Sequence, residues 1–197
     1  MTTTATSPPS GTPDRRIPGE QGTWVFLFGD MIVFAVFFAT FLVERSRAPD
    51  AFDIARRTLH TGVGITNTLV LLTSSILVFV AVSAIRAGAR PLAARSLAAA
   101  VGCGLLFVAL KVFEYSSLAL AGHGPGAHHF YLYYFILTGV HLLHVVVGIC
   151  VLAFLITQAR RPELSATRLA IVEGGACFWH LVDLLWIVLF PLLYLVS

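Results

Sequence analysis

The chain has 197 residues, of which 57% are hydrophobic and 12% are Asp, Glu, Lys or Arg, about half the charged share of a soluble domain. That composition excludes an ordinary soluble globule and points to an integral membrane protein. A formal net charge of +3 gives no argument for a nucleic-acid partner, and three cysteines scattered in apolar segments suggest neither a disulfide framework nor a zinc site.

Residues 1–22 are rich in Thr, Ser, Pro and Gly. They bury too little apolar surface to order themselves, so a disordered N-terminal tail is expected there. Residues 23–197 are expected to form one transmembrane domain. Five apolar runs follow, at 24–43, 62–85, 96–118, 130–157 and 171–196. Each is long enough for a helix to cross a hydrocarbon core, which takes about 20 residues. Lipid leaves no partner for open backbone groups, so the runs must be helices. The expected fold class is all-α, a polytopic bundle of five transmembrane helices.

Arginine supplies nearly all of the positive charge. The tail and the loops 86–95 and 158–170 carry Arg15, Arg16, Arg86, Arg90, Arg95, Arg160, Arg161 and Arg168. Loop 44–61 on the other side carries Arg45, Arg47, Arg56 and Arg57. The positive-inside rule then places the N-terminus in the cytoplasm and the C-terminus outside. For a bacterial plasma membrane, the C-terminus is periplasmic or external.

Ionisable side chains inside a membrane are expensive, and each is a functional hypothesis. The first run holds Asp30, the fourth His141 and His144, and the fifth His180 and Asp183. Residues three apart share a helix face, so the fourth helix should present a His–His ridge and the fifth a His–Asp ridge. The second run adds a polar stripe with Asn67 and Ser74. Three readings compete for Asn67, His141, His144, His180 and Asp183. They could bind a metal or haem iron. They could relay protons, although they cluster at one depth where a relay needs a ladder. The favoured reading is an intramembrane polar network that hydrogen-bonds helix to helix, facing His180 and Asp183 toward His141 and His144 or Asn67. Lys111 and Glu114, near the end of the third run, are expected to form an interfacial pair, with Lys111 snorkelling outward. Trp179 and Trp186 are too deep for an aromatic belt and should pack against helices or a partner. His123, His128 and His129 are read as belonging to a solvated loop. No Walker, Rossmann or nucleophile-elbow pattern occurs.

Taken in order, the motifs resemble subunit III of the haem–copper oxidases, the cytochrome c oxidase subunit III family, over nearly the whole chain. These are GDMIVFAVFF at 29–38, NTLVLLTSS at 67–75, FVALKVFEY at 107–115, TGVHLLHVVVG at 138–148 and WHLVDLLW at 179–186. The resemblance implies the five-helix form of the family. It implies a subunit with no catalytic residue, metal or redox centre of its own. Haem and copper would lie in a partner, catalytic subunit I, accompanied by subunit II in a hetero-oligomer. It further implies bound phospholipid in a cleft, with Asp30 as the buried acid near it, and a role in proton uptake and stable turnover. Asp30 stands where the family usually has Glu, and Lys111 where Gln is commoner. Those departures, with the ending LFPLLYL, look more like accessory subunits linked to nitric oxide reductases, which is the alternative reading.

Overall fold

The structure, a computed structural model, describes residues 21–127, 129–161 and 165–195. The expected tail therefore lies almost wholly outside the described residues, as does His128. Among them the chain is all helix: α1 (Gln21–Arg47), α2 (Pro49–Arg56), α3 (Thr61–Arg86), α4 (Arg90–Leu120), α5 (His129–Ala159) and α6 (Ala166–Phe190), followed by a π-helical turn, Pro191–Leu195. Five helices are long and apolar enough to cross a membrane. The first four are longer than the apolar runs alone because polar residues continue the helix at their ends, and the fifth starts five residues before its run, at Ala166. The loop expected between the first two spans holds an element of its own, the short helix α2. Pro49 opens it, and its inner face buries Phe52 and Ala55.

Helices α3, α4, α5 and α6 form a closed ring in which each packs on its chain neighbour and α6 returns to α3, while α1 leans on α5 and α6. The ring faces are set by small and apolar residues at alternating intervals of three and four. In α4 the buried stripe runs Ala93, Leu97, Ala100, Gly104, Phe107, Lys111, Glu114 and Leu118. A three-and-four spacing of this kind lays one continuous buried stripe along the helix. Gly88 and Gly122, both at positive φ, end α3 and α4. There the following residues, Ala89 and His123, donate back to the carbonyls of Ala84 and Leu118, which satisfies groups a helix end leaves open.

The seam between α3 and α6 has a single antiparallel register. Gly64 meets Phe190, Thr68 accepts from the Trp186 indole at 3.0 Å, Ser74 accepts from the Trp179 indole at 3.1 Å, and Ser75 meets His180 at 2.6 Å. Both deep tryptophans are thus packed within this chain rather than in a belt.

Candidate functional site

The interior carries three separate polar groupings where the sequence suggested one network and an interfacial pair. The most buried is built on Lys111 and Glu114, whose side chains are both 0% exposed and 2.8 Å apart. The pair forms as expected, but the lysine does not snorkel. Its position on the buried stripe of α4 turns the ammonium into the bundle. Nζ donates to Glu114 Oε2, to Tyr134 OH at 3.2 Å and to Tyr194 OH at 3.0 Å. Tyr194 donates in turn to Glu114 Oε1 at 2.7 Å. All three ammonium hydrogens and both carboxylate oxygens are used. The ammonium also lies 4.7 Å from the Trp186 ring centre and 5.2 Å from that of Tyr134, within the range of a cation–π attraction.

Tyr194 reaches this place through the π-helical turn. Pro191 has no N–H to give the α-helical ladder, and the widened turn that follows brings the phenol over Lys111. The end of the turn is held from outside. Arg56 of α2 donates to the carbonyls of Tyr194 and Leu195 at 3.1 and 3.4 Å.

The second grouping joins α1 to α5. Asp30 Oδ1 lies 3.0 Å from His144 Nε2, with both side chains mostly buried. His144 Nδ1 lies 2.8 Å from the Val140 carbonyl oxygen. A carbonyl only accepts, so Nδ1 carries a hydrogen. The contact to Asp30 then needs a second proton, held on Nε2 or on Oδ1. The pair is therefore overall neutral, either imidazolium with carboxylate or imidazole with carboxylic acid. One proton sits between two sites, while Asp30 Oδ2 is buried without a partner.

That chemistry sets a test. Asp30→Asn still offers a donor to Nε2 and is expected to lower the stability of the chain by under about 1 kcal/mol. Asp30→Leu leaves Nε2 bare and is expected to cost about 1–2 kcal/mol. Heat unfolding of the two variants in detergent checks the order.

One turn from this pair, at the end of the bundle where α1 and α6 begin, lies a groove of about 520 Å³. Phe26 and Leu27 of α1, Val147 and Val151 of α5, and Ile171 and Phe178 of α6 line it. Leu27 is one turn before Asp30 and Val147 one turn after His144. No charged side chain enters the lining, so the groove suits a hydrocarbon chain.

The third grouping lies on the α3–α6 seam. His180 Nδ1 meets Ser75 Oγ at 2.6 Å, and Asp183, one turn along α6, neighbours the same serine. Asp183 Oδ1 has no partner. The expected bonds from His180 and Asp183 to His141 and His144 or to Asn67 are therefore not found among the described residues; His180 bonds Ser75 instead. His141 is 0% exposed, stacks on Trp186 with ring centres 5.3 Å apart, and meets Phe107 edge-on. Among the described residues neither of its nitrogens has a hydrogen-bond partner, and the same holds for the amide of the fully buried Asn67. A three-residue step rotates the side chain by about 60° about the helix axis. In a ring of helices that is enough for His141 to face the core while His144 faces α1. Among the described residues, no three His, Cys, Asp or Glu side chains gather as a metal-ligand group.

Sequence reasoning missed Tyr134, Tyr194 and Ser75. The signal for Ser75 was present: α3 read backward against α6 pairs Thr68, Ser74 and Ser75 with Trp186, Trp179 and His180. Tyr194 had no such signal, because its direction depends on the π turn.

A family model, cytochrome c oxidase subunit III, matches residues 17–197. The chain is 30% identical over 179 residues to the cytochrome bo(3) ubiquinol oxidase subunit 3 of Pseudomonas putida, covering 89% of this chain and 84% of that one. It is 30% identical over 190 residues to the cytochrome c oxidase subunit 3 of Thermostichus vulcanus, covering 94% and 89%. To the probable quinol oxidase subunit 3 of Staphylococcus aureus it is 27% identical over 181 residues, covering 90% and 89%.

Proposed function

The chain belongs to the cytochrome c oxidase subunit III family, and on that premise we propose that it is the non-catalytic third subunit of a haem–copper terminal oxidase in a bacterial plasma membrane. It packs on the catalytic subunit, which carries the haem and copper, alongside subunit II. Residues 23–197 act as one transmembrane unit that binds phospholipid and supports proton uptake and durable turnover in aerobic electron transport. The observation that carries this reading is the Asp30–His144 pair, 3.0 Å apart and mostly buried, set one turn from a groove lined by apolar side chains. An acyl chain in the groove fixes the spacing of α1 against α5 and α6, and the pair stays dry and neutral beside it.

The N-terminus lies in the cytoplasm. Support comes from the arginine count: the tail and the loops 86–95 and 158–170 carry eight, and loop 44–61 carries four.

Purification of the tagged full chain from its native membrane tests the reading. The expected result is a complex with a haem-bearing chain, bound phospholipid and oxygen consumption. Removing this subunit should leave the haem spectrum and initial rate intact and shorten the time over which turnover lasts. A second reading, an accessory subunit of a nitric oxide reductase, rests on Asp30 and Lys111 standing where Glu and Gln are commoner. The same preparation would then reduce nitric oxide and not oxygen. A preparation with no haem overturns both.

A further inference from the structure

Polar atoms on the outside of a membrane helix are usually turned back on their own backbone. On α3 this holds for Thr66 and Thr73, whose hydroxyls donate to the carbonyls of Gly62 at 3.0 Å and Leu69 at 2.8 Å. Both residues are exposed, and both hydroxyls are satisfied without help from outside. Ser75, half-buried beside them, does something else. Its hydroxyl crosses to His180 Nδ1 on α6. The imidazole is half-buried, and its other nitrogen, Nε2, bonds to no described residue. If Ser75 donates to Nδ1, then Nε2 is a donor; if Nδ1 donates to Ser75, then Nε2 is an acceptor. Either way the ring presents an unmet hydrogen-bonding atom at the outer surface of the seam. Asp183, one turn on, is buried within the chain beside the same serine.

The depth makes this costly. Ser75 and His180 both lie at the middle of their spans, Thr61–Arg86 and Ala166–Leu195. Acyl chains offer no donor or acceptor there, and water is excluded. Around the polar spot the seam shows large apolar side chains: Leu72, Ile76 and Phe79 on α3, and Leu184 and Ile187 on α6. A small polar centre within an apolar rim is the anatomy of a protein contact. The groove beside α1 has the opposite character, with apolar side chains and no charged one in its lining, and suits lipid.

We propose that the Ser75–His180 spot on the α3–α6 seam docks a transmembrane helix of the catalytic subunit, which supplies a hydrogen-bonding side chain to His180 Nε2 at mid-membrane depth. The identity of the partner rests on the functional reading above; the location of the contact does not. The polarity match then fixes the partner helix in depth as well as in direction, which apolar packing alone does poorly.

The test uses the tagged full chain in its native membrane. A photo-crosslinking benzoylphenylalanine is placed at Ile76 or Leu184, on the rim, and for comparison at Leu105 of α4 or Leu143 of α5. The expected result is a covalent adduct to the haem-bearing chain from Ile76 and Leu184, and little or none from the other two positions. Adducts confined to lipid or to a second copy of this chain, or a reversed pattern, overturn the proposal. His180→Leu provides the second arm. It should lower recovery of the haem-bearing chain by about tenfold with helix content unchanged, while Ser75→Ala, which loses the same bond within the chain but keeps Nε2, should match its heat unfolding and keep recovery near the wild-type level. Unchanged recovery with His180→Leu, or an equal loss with Ser75→Ala, overturns the proposal. A wild-type chain that recovers no haem-bearing subunit overturns the functional reading instead, and is told apart because it fails before any substitution is made.

Discussion

Replacing Lys111 by methionine while Glu114 stays in place is expected to destabilise the subunit by about 3–5 kcal/mol. Among the described residues the lysine is the sole donor to Glu114 Oε2, and both side chains are 0% exposed. Without it, a carboxylate is left deep in the bundle with one hydrogen bond, from Tyr194. The variant must either keep that charge uncompensated or take up a proton, and both routes cost stability. Glu114→Gln alone leaves the mirror defect, an ammonium facing tyrosine oxygens and ring faces. The double variant, Lys111→Met with Glu114→Gln, removes both charges at nearly constant volume. It should recover most of the loss, so that the double is less damaged than either single variant. Heat unfolding of the purified subunit in detergent, followed by far-ultraviolet circular dichroism, reads all four proteins. Additive losses would show that the two groups do not act as a pair.

The long spans, their number and the polar residues inside them were all legible in the sequence, because crossing lipid demands length and internal hydrogen bonding. The direction of each polar residue was legible only in part. The burial of Lys111 and Glu114 could have been read from Ala93, Leu97, Ala100, Gly104 and Phe107, which precede them on the same three-and-four stripe. Treating a lysine near a helix end as a snorkelling anchor set aside that spacing. The pairing of Asp30 with His144 was less accessible. It requires knowing that α1 leans on α5, and tertiary packing decides that. Helix α2 was hidden for a different reason. Its eight residues carry little apolar signal, and its place is fixed by Phe52, lodged between Phe41 and Phe130 with both ring centres 5.7 Å away, and by the bonds of Arg56 to the π turn.

Gly148→Ala is the second substitution with a large expected effect, about 2–3 kcal/mol of destabilisation. A Cβ there would stand 2.6 Å from Trp179 Cε3 and 2.8 Å from Cζ3. The indole has nowhere to retreat. Its far edge already fills the space at Gly104, where a Cβ would lie 3.0 Å from Cη2. Its N–H is held by Ser74, whose hydroxyl donates to the Ala100 carbonyl at 3.2 Å. Pushing the ring aside therefore disturbs α3 and α4 as well as the α5–α6 contact it fills, and an added methyl is felt across the whole ring of helices. Gly102→Ala is the control. Nothing lies within 4 Å of a Cβ at that position, so the change should gain up to about 1 kcal/mol of helix propensity or leave stability unaltered. Trp179→Phe, which trims the ring, should restore part of the loss when combined with Gly148→Ala and should cost stability on its own. That reversal of sign, measured as unfolding temperatures of the four variants and the wild type, separates a steric slot for one tryptophan from a general intolerance of α5 to substitution.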